Sequence, residues 1–353
     1  MSKMSQRVVG VAFLLAASGV FAACSSGTSN TAAVSGASGS AKSGYLETNP
    51  AWSKYTFVVG DNGGDGTEAL AADTGIFKDA SYKVTFARFT YGPPLVTAAA
   101  SGDISLGMVG DVPPLTGAAT EFGFKIVAVE HSLYPTQPDE DIIVPKGSPI
   151  HTLAELKGKS IAVAQGSSAN GLVLLALESA GLKPSQVHIA YLAPAAAATA
   201  YQAGQVDAWA IWNPQLTLAV QAGSTVLAKG LPPIDQTNNY YVASDKLLDN
   251  PVAKAALGNV LERIAFDYAW GNKHLAKYAA ALATEDGISV ADATAALSAE
   301  EYSISPITQT DITAEQTLAN AFINAGLITA HVKVASISEN VLPAGFNSNQ
   351  QLG

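Results

Sequence analysis

Five short segments of this sequence place a glycine or another short side chain just before a proline or serine that can open a helix. Such segments are typical of the turn between a β-strand and a following α-helix, because proline in the first helical turn sacrifices no hydrogen bond and Ser, Asp and Asn cap helices well. A helix N-terminus carries unpaired N–H groups and about half a positive charge, which favours a bound anion. The sequence therefore predicts anion-binding turns at Gly92-Pro93-Pro94, Gly110-Asp111-Val112-Pro113, Gly166-Ser167-Ser168, Ala193-Pro194 and Asn213-Pro214.

A catalytic serine is an alternative interpretation of the turn at Ser167. The segment from Gly166 to Asn170 does not fit a nucleophile elbow, because its fifth residue is Asn170 rather than glycine. The five histidines are scattered, and no pair has metal-ligand spacing. Anion-binding turns favour a protein that binds a small solute. An extracytoplasmic hydrolase and a purely adhesive lipoprotein stay open as alternatives.

No cofactor is predicted from the glycine-rich segment near residue 64. Gly64 and Gly66 imitate a dinucleotide fingerprint, but the next strand ends near Arg88 rather than at an acidic residue for the ribose. The same segment imitates a calcium loop until its twelfth position, where Ala72 cannot supply a bidentate carboxylate. Neither a metal nor a nucleotide is therefore expected.

The first 50 residues are typical of an exported lipoprotein. Residues 1–23 combine basic Lys3 and Arg7 with an apolar run too short to span a bilayer, which predicts a cleaved signal peptide. Cys24, the only cysteine, follows a lipobox-like segment and is predicted to carry a thioether-linked lipid. Residues 24–50 are rich in Ser, Gly and Ala and predict a flexible linker. We expect a protein anchored by lipid to the outer face of the cytoplasmic membrane, or periplasmic.

The charge of the chain argues against a nucleic-acid partner. Without residues 1–23, 17 basic and 29 acidic side chains remain, so the formal net charge is −12. Such a molecule repels a polyanion, and no basic run is present to release phosphate counterions. A small anion could still bind where local donors dominate.

Strand and helix patterns alternate from Tyr55 to about residue 228, which predicts two α/β lobes with mostly parallel sheets. Beyond Asp245 the pattern predicts helices only, packed back on the first lobe. The predicted helices run from Pro251 to Gly271, His274 to Thr284, Val290 to Leu297 and Thr313 to Ala325. In an open parallel sheet the turns after the strands gather at the carboxyl ends, where ligands bind. This arrangement would bring the five predicted turns together.

Several of these segments match in order and spacing those of a known family. The chain resembles the aliphatic sulfonate-binding proteins of the nitrate, sulfonate and taurine ABC importers. The resemblance implies a type II periplasmic-binding-protein fold: two α/β lobes with a hinge and a C-terminal helical segment packed on lobe 1. It implies lobe 1 in residues 51–140, lobe 2 in residues 141–235 and a return to lobe 1 in residues 236–353. The matching segments are Phe89–Leu95, Gly110–Pro114, Leu156–Val163, Gly166–Ala169 and Val206–Pro214.

The resemblance also implies a function and a site. We expect a monomer that is not an enzyme, that closes over a small anion such as an alkylsulfonate, and that passes it to an ABC permease with its ATPase. Trp212 would supply an apolar wall, and the first loop would contact the solute. The candidate ligand-binding residues are Asn62, Gly63, Tyr91, Gly92, Gly110, Asp111, Gly166, Ser167, Ser168, Trp212 and Asn213.

Four positions depart from the pattern of the sulfonate binders. Asn170 stands where histidine is common, Ala196 and Ala198 replace the usual Asp and Arg, and Asn213 replaces Asp. These departures leave the ligand open between a sulfonate and other solutes, namely nitrate, taurine, an aryl sulfonate, a carboxylate or an aromatic compound.

Overall fold

The computed structural model describes residues 47–353, except 121–122, 135, 233–234, 236–237, 299, 327, 347 and 349–353. The predicted signal peptide, Cys24 and most of the predicted linker lie outside the described residues. Within the described part of the chain, no helix has the length and apolar character needed to cross a membrane.

The first lobe is built on a six-stranded sheet. Its strands are β1 (Thr56–Asn62), β2 (Lys83–Phe89), β3 (Leu106–Gly110), β4 (Phe124–Ser132), β10 (Asn238–Ser244) and β11 (Tyr302–Ser305). Their order across the sheet is β11-β4-β10-β3-β1-β2.

The second lobe is built on a five-stranded sheet. Its strands are β5 (Glu140–Val144), β6 (Ser160–Val163), β7 (His188–Tyr191), β8 (Ala208–Trp212) and β9 (Thr225–Lys229). The order is β7-β6-β8-β5-β9. The chain thus passes from the first sheet to the second between β4 and β5, and returns between β9 and β10.

Helices follow most of the strands, and a helical series closes the chain. In the first lobe these are α1 (Thr67–Thr74), α2 (Gly92–Ser101) and α3 (Val112–Thr120); in the second, α4 (Ser168–Ser179), α5 (Pro194–Gln202) and α6 (Gln215–Gln221). After the return come α7 (Asp245–Leu248), α8 (Pro251–Lys273), α9 (Leu275–Asp286), α10 (Val290–Leu297) and α11 (Gln309–Asn324).

The C-terminal helices complete the core of the first lobe. Val260 and Ile264 of α8 are buried in one apolar cluster with Phe57 and Val59 of β1. Burial of this apolar surface is the main favourable contribution to holding the helices against the sheet. The predicted fold, two α/β lobes with the C-terminal segment on lobe 1, is confirmed.

One detail of the sequence-based prediction is incomplete and one is wrong. Most strands of each sheet run in the same direction, but β10 and β11 run opposite to the other four strands of the first sheet, and β5 runs opposite to the other four of the second. The segment beyond Asp245 is not purely helical, because β11 lies within it. Because the chain crosses between the lobes, the strand after each crossing enters its sheet in the direction opposite to the strands beside it. The local periodicity of the sequence does not reveal strand direction.

Candidate functional site

A cavity of about 80 Å³ lies between the two lobes. That volume exceeds several-fold what one water molecule requires, so the cavity has room for a small solute. We call it the interlobe cavity. Eight of the predicted site residues line it, namely Asn62, Gly92, Gly110, Asp111, Ser167, Ser168, Trp212 and Asn213.

The two lobes touch across this cavity at two glycines. A Cβ atom on Gly110, at the end of β3, would lie only 1.7 Å from the Ser168 hydroxyl oxygen at the start of α4. A Cβ atom on Gly64 would lie 3.0 Å from the carbonyl oxygen of Asn213, and Gly64 has a positive φ of 109°. The absence of a side chain at both positions lets the lobes close on each other.

The start of α4 is capped within its own lobe. The backbone N–H of Asn170 donates to the Ser167 hydroxyl over 3.3 Å, and that hydroxyl donates to the carbonyl of Ala164 over 2.7 Å. The Asn170 side chain in turn accepts from the N–H of Gly166 over 3.1 Å. Ser167 therefore acts as an N-cap, and its hydroxyl is not paired with a histidine base.

Asn213 also caps a helix. Its side-chain oxygen accepts hydrogen bonds from the backbone N–H and the hydroxyl of Thr217, at 3.1 and 2.8 Å, in the first turn of α6. Its backbone N–H donates to the carbonyl of Asp139 over 2.9 Å, which ties β8 to the crossing between the lobes. Asn213 thus serves the structure of the hinge as well as lining the cavity.

Asp111 is buried and lines the cavity. Its carboxyl group accepts hydrogen bonds from the Ser168 hydroxyl and from the N–H of Val112, the first residue of α3. Burial raises the pKa of Asp111 well above its usual value, and the nearby Asp235 raises it further. The carboxyl group therefore occupies part of the helix-end site that the sequence predicted for an external anion.

The interlobe cavity is strongly acidic. Seven carboxyl groups line it and, among the described lining residues, no Lys, Arg or His does so. Burial raises the pKa of Glu130 to about 8 and that of Asp139 to about 6. Burial also raises four of the other pKa values well above their usual range, those of Asp65, Asp111, Glu140 and Glu300. The seven are Asp65, Asp111, Glu130, Asp139, Glu140, Asp235 and Glu300.

Aromatic and amide side chains complete the wall. Tyr302 donates its hydroxyl to Asp139 over 2.9 Å, and Tyr278 donates to the carbonyl of Asp65 over 2.5 Å. Asn272 donates to the carbonyl of Tyr302 over 2.9 Å. These bonds connect the C-terminal helices and β11 to the mouth of the cavity and fix the tyrosine rings against it.

Three of the predicted residues, Gly63, Tyr91 and Gly166, are not among the lining residues of the cavity. Tyr91 precedes α2 as its N-cap, and Gly166 lines a separate surface depression beside Pro93 and Thr116. Of the two tryptophans near the end of β8, Trp209 is buried in the core and Trp212 faces the cavity, because neighbouring side chains on a strand alternate between faces.

Apart from Asp111, the acidic residues are the functional candidates that sequence reasoning missed. Glu130 lies in β4 close to its carboxyl end, so the rule that ligands bind at the carboxyl ends of strands would have found it. Glu140 is the first residue of β5 and lies beside the end of β8 only because β5 runs antiparallel to β8, which the sequence does not reveal. Glu300 and Asp65 carry no such local signal. No group of His, Cys, Asp and Glu side chains that could hold a metal ion occurs among the residues described.

Comparison with known proteins gives a consistent set of relatives. The NMT1/THI5-like family matches residues 68–271, more than half of this chain. The "Putative aliphatic sulfonates-binding protein" of Escherichia coli (strain K12) is 39% identical over 163 residues, covering 46% of this chain and 50% of that protein. The chain therefore spans about half the length of the curated relatives it matches.

Two solved structures resemble the chain over most of their length. The alkanesulfonate-binding protein SsuA from Xanthomonas axonopodis pv. citri, bound to MOPS, is 30% identical with a TM-score of 0.74, covering 81% of this chain and 98% of that one. The periplasmic aliphatic sulphonate binding protein SsuA from Escherichia coli is 29% identical with a TM-score of 0.72, covering 82% and 94% respectively. Alignments that cover 81% and 82% of this chain include residues of both lobes.

Proposed function

Since the chain belongs to the NMT1/THI5-like family, we propose that it is the extracytoplasmic solute-binding component of an ABC importer and captures a small organic sulfonate. The observation that carries the proposal is a solute-sized cavity lined by both lobes at their strand-to-helix turns. The sulfonate class is supported by the relatives, which are named as aliphatic sulfonate-binding or alkanesulfonate-binding proteins.

Capture depends on lobe closure. We place the hinge at the two crossings near residues 140 and 235, where the chain passes between the sheets. A solute that touches both lobes gains contacts only in the closed form, so it shifts the population toward that form. The permease would then recognise the closed receptor, open it and accept the solute.

Ser168 and Gly110 would contact the solute at the two helix ends, and Trp212 would pack against its apolar tail. Ser168 opens α4 in lobe 2, and Gly110 precedes α3 in lobe 1, so the two positions face each other across the gap. The half-buried Trp212 offers an indole face beside them. Asn62, Gly92 and Asn213 would complete the contacts.

The first test measures sulfonate binding and its loss in one variant. Thermal-shift and calorimetric screening of the mature protein should identify a sulfonate that raises the unfolding temperature, because a ligand of the folded state stabilises it. Ser168→Asp should weaken that binding by about tenfold or more, since it adds a second carboxyl beside Asp111. Ser185→Asp, an exposed change in the same lobe, is the matched control. Equal affinity in both variants would contradict the proposed contact.

We further propose that a lipid on Cys24 anchors the receptor beside its permease and ATPase. Cys24→Ser should move the protein from the membrane fraction to the soluble extracytoplasmic fraction, because acyl chains supply the anchoring energy. Fractionation followed by immunoblotting measures the distribution, and Ser25→Ala is the neighbouring control. Retention of the Cys24→Ser protein at the membrane would contradict lipidation at this residue.

A further inference from the structure

The charge of the interlobe cavity does not suit a purely anionic solute. Seven acidic side chains face it without a Lys, Arg or His among the described lining residues. The cavity offers an anion no cationic side chain among these residues, and burial, which raises their pKa values, keeps several of the carboxyl groups protonated in the absence of solute. A positive group on the solute would instead favour their ionised form and could donate charge-assisted hydrogen bonds to it.

Three of these carboxyl groups, those of Asp65, Glu130 and Glu140, have a buried oxygen without a partner among the described residues. Glu130 is 1% exposed and Glu140 is 4% exposed, and both line the cavity. Glu130 Oε2 and Glu140 Oε1 are buried and accept no hydrogen bond from any described residue. A buried acceptor without a donor is costly, so each of these atoms marks a position for a donor on the solute.

The helix ends that would attract an anion are partly occupied by the protein itself. Asp111 accepts from Val112 at the start of α3 and from Ser168 at the start of α4. Ser167 accepts the N–H of Asn170 within α4. These internal bonds reduce the donors available to a sulfonate. Asn239 and Tyr241 interact with the Glu130 carboxyl group and Asp235 with that of Glu140, so Glu130 Oε2 and Glu140 Oε1 are the acceptor atoms that stay available.

Aromatic rings surround the same space. Trp212, Tyr268, Tyr278 and Tyr302 line the cavity together with the carboxyl groups. The face of an aromatic ring attracts a cation through its quadrupole. Carboxylates and rings together form a wall whose electrostatics favour a positive nitrogen that can also donate hydrogen bonds.

We infer that the solute carries a protonated nitrogen that donates a hydrogen bond to Glu130, with Glu140 as a second acceptor. The inference rests on the proposed function only in that the solute enters the interlobe cavity. The nitrogen could belong to an aminosulfonate or to an amine without a sulfonate. Both sources share the same chemistry, and the experiment separates them.

The test compares three solutes of equal chain length by calorimetry: 3-aminopropanesulfonate, propanesulfonate and propylamine. The series is repeated with chains of two to six carbons, so that a mismatch in length does not hide binding. We expect the aminosulfonate to bind about tenfold or more tightly than the matched sulfonate, as a charge-assisted hydrogen bond would provide.

Glu130→Gln tests the acceptor while keeping the size and shape of the side chain. We expect it to remove most of the preference for the amino compounds and to leave the affinity for propanesulfonate equal or higher. Glu140→Gln is the second variant, and Glu178→Gln on the exposed side of α4 is the matched control. Circular dichroism of each variant establishes that it is folded.

The outcomes separate the inference about the nitrogen from the proposed sulfonate class. Equal affinity for matched sulfonates with and without nitrogen would overturn the inference and leave the proposed sulfonate class intact. Binding of amines without any binding of sulfonates would support the inference and contradict that class. Failure of every amine in the series to bind, or an unchanged amine preference in both folded glutamine variants, would overturn the inference.

Discussion

Gly110→Ala is expected to weaken solute binding by about one to two powers of ten, because overpacking by one methyl group costs about 1–3 kcal/mol. The new Cβ atom would lie 1.7 Å from the hydroxyl oxygen and 3.0 Å from the Cβ atom of Ser168 in the opposite lobe. The clash exists only when the lobes are closed, so it penalises the closed form and spares the folding of each lobe. Calorimetry with 3-aminopropanesulfonate measures the affinity, and thermal unfolding measures the stability.

A rescue and a control separate closure from general damage. Adding Ser168→Gly removes both clashing atoms and should restore a large part of the lost affinity. Gly117→Ala introduces a clash inside lobe 1, where its Cβ would lie 2.5 Å from a methyl group of Val96. It should change stability and leave affinity nearly unaltered. Equal loss of affinity in Gly110→Ala and Gly117→Ala would contradict closure through Gly110.

The stability of the solute-free protein is expected to fall as pH rises from about 5 to 8. Burial raises the pKa of Glu130 from 4.5 to about 8, so the folded protein binds a proton that the unfolded chain has already released. The sign follows from linkage: stability is fully present below the unfolded pKa and is lost as pH rises through the folded pKa. Asp139, with its pKa raised to about 6, contributes in the lower part of the same window.

Thermal unfolding at several pH values with and without Glu130→Gln measures this contribution. The variant cannot ionise at residue 130, so its stability should depend less steeply on pH, by at most about 1.4 kcal/mol per pH unit for one proton. Glu178→Gln, with an exposed side chain, should leave the slope unchanged. A wild-type protein that gains stability between pH 5 and 8, or a variant with the same slope, would contradict the prediction. The titratable groups that act on Glu130 are Asp65, Asp139, Tyr241, Tyr268, Tyr278, Glu300 and Tyr302.

Much of the local structure follows from sequence patterns. The helix predicted over Val290 to Leu297 is found with those bounds, and the long helix predicted from Pro251 to Gly271 ends two residues later. A proline near the helix start and apolar residues at helical spacing involve only residues that are close in sequence, so they favour the helix before any tertiary contact forms. The same holds for the strand-to-helix turns at Gly110 and Ser167, which the structure places on one cavity.

These local patterns could not predict the surroundings of the Asp111 carboxyl group. The sequence placed Asp111 before a helix but did not decide whether its carboxyl faces the cavity or turns away. That choice depends on Ser168, which lies in the other lobe and donates to it. A hydrogen bond between residues so distant in sequence exists only after both lobes are assembled.

The sequence by itself determined most of the elements, though not β11, together with the two-lobed α/β class and the family to which the chain is similar, because these depend on local spacing and ordered motifs. Only the tertiary structure decided the direction of the crossing strands and the charge of the cavity. That charge is the sum of side chains from Asp65 to Glu300, which folding brings to one place and removes from water. Burial then changes what each carboxyl can bind, and no linear pattern records burial.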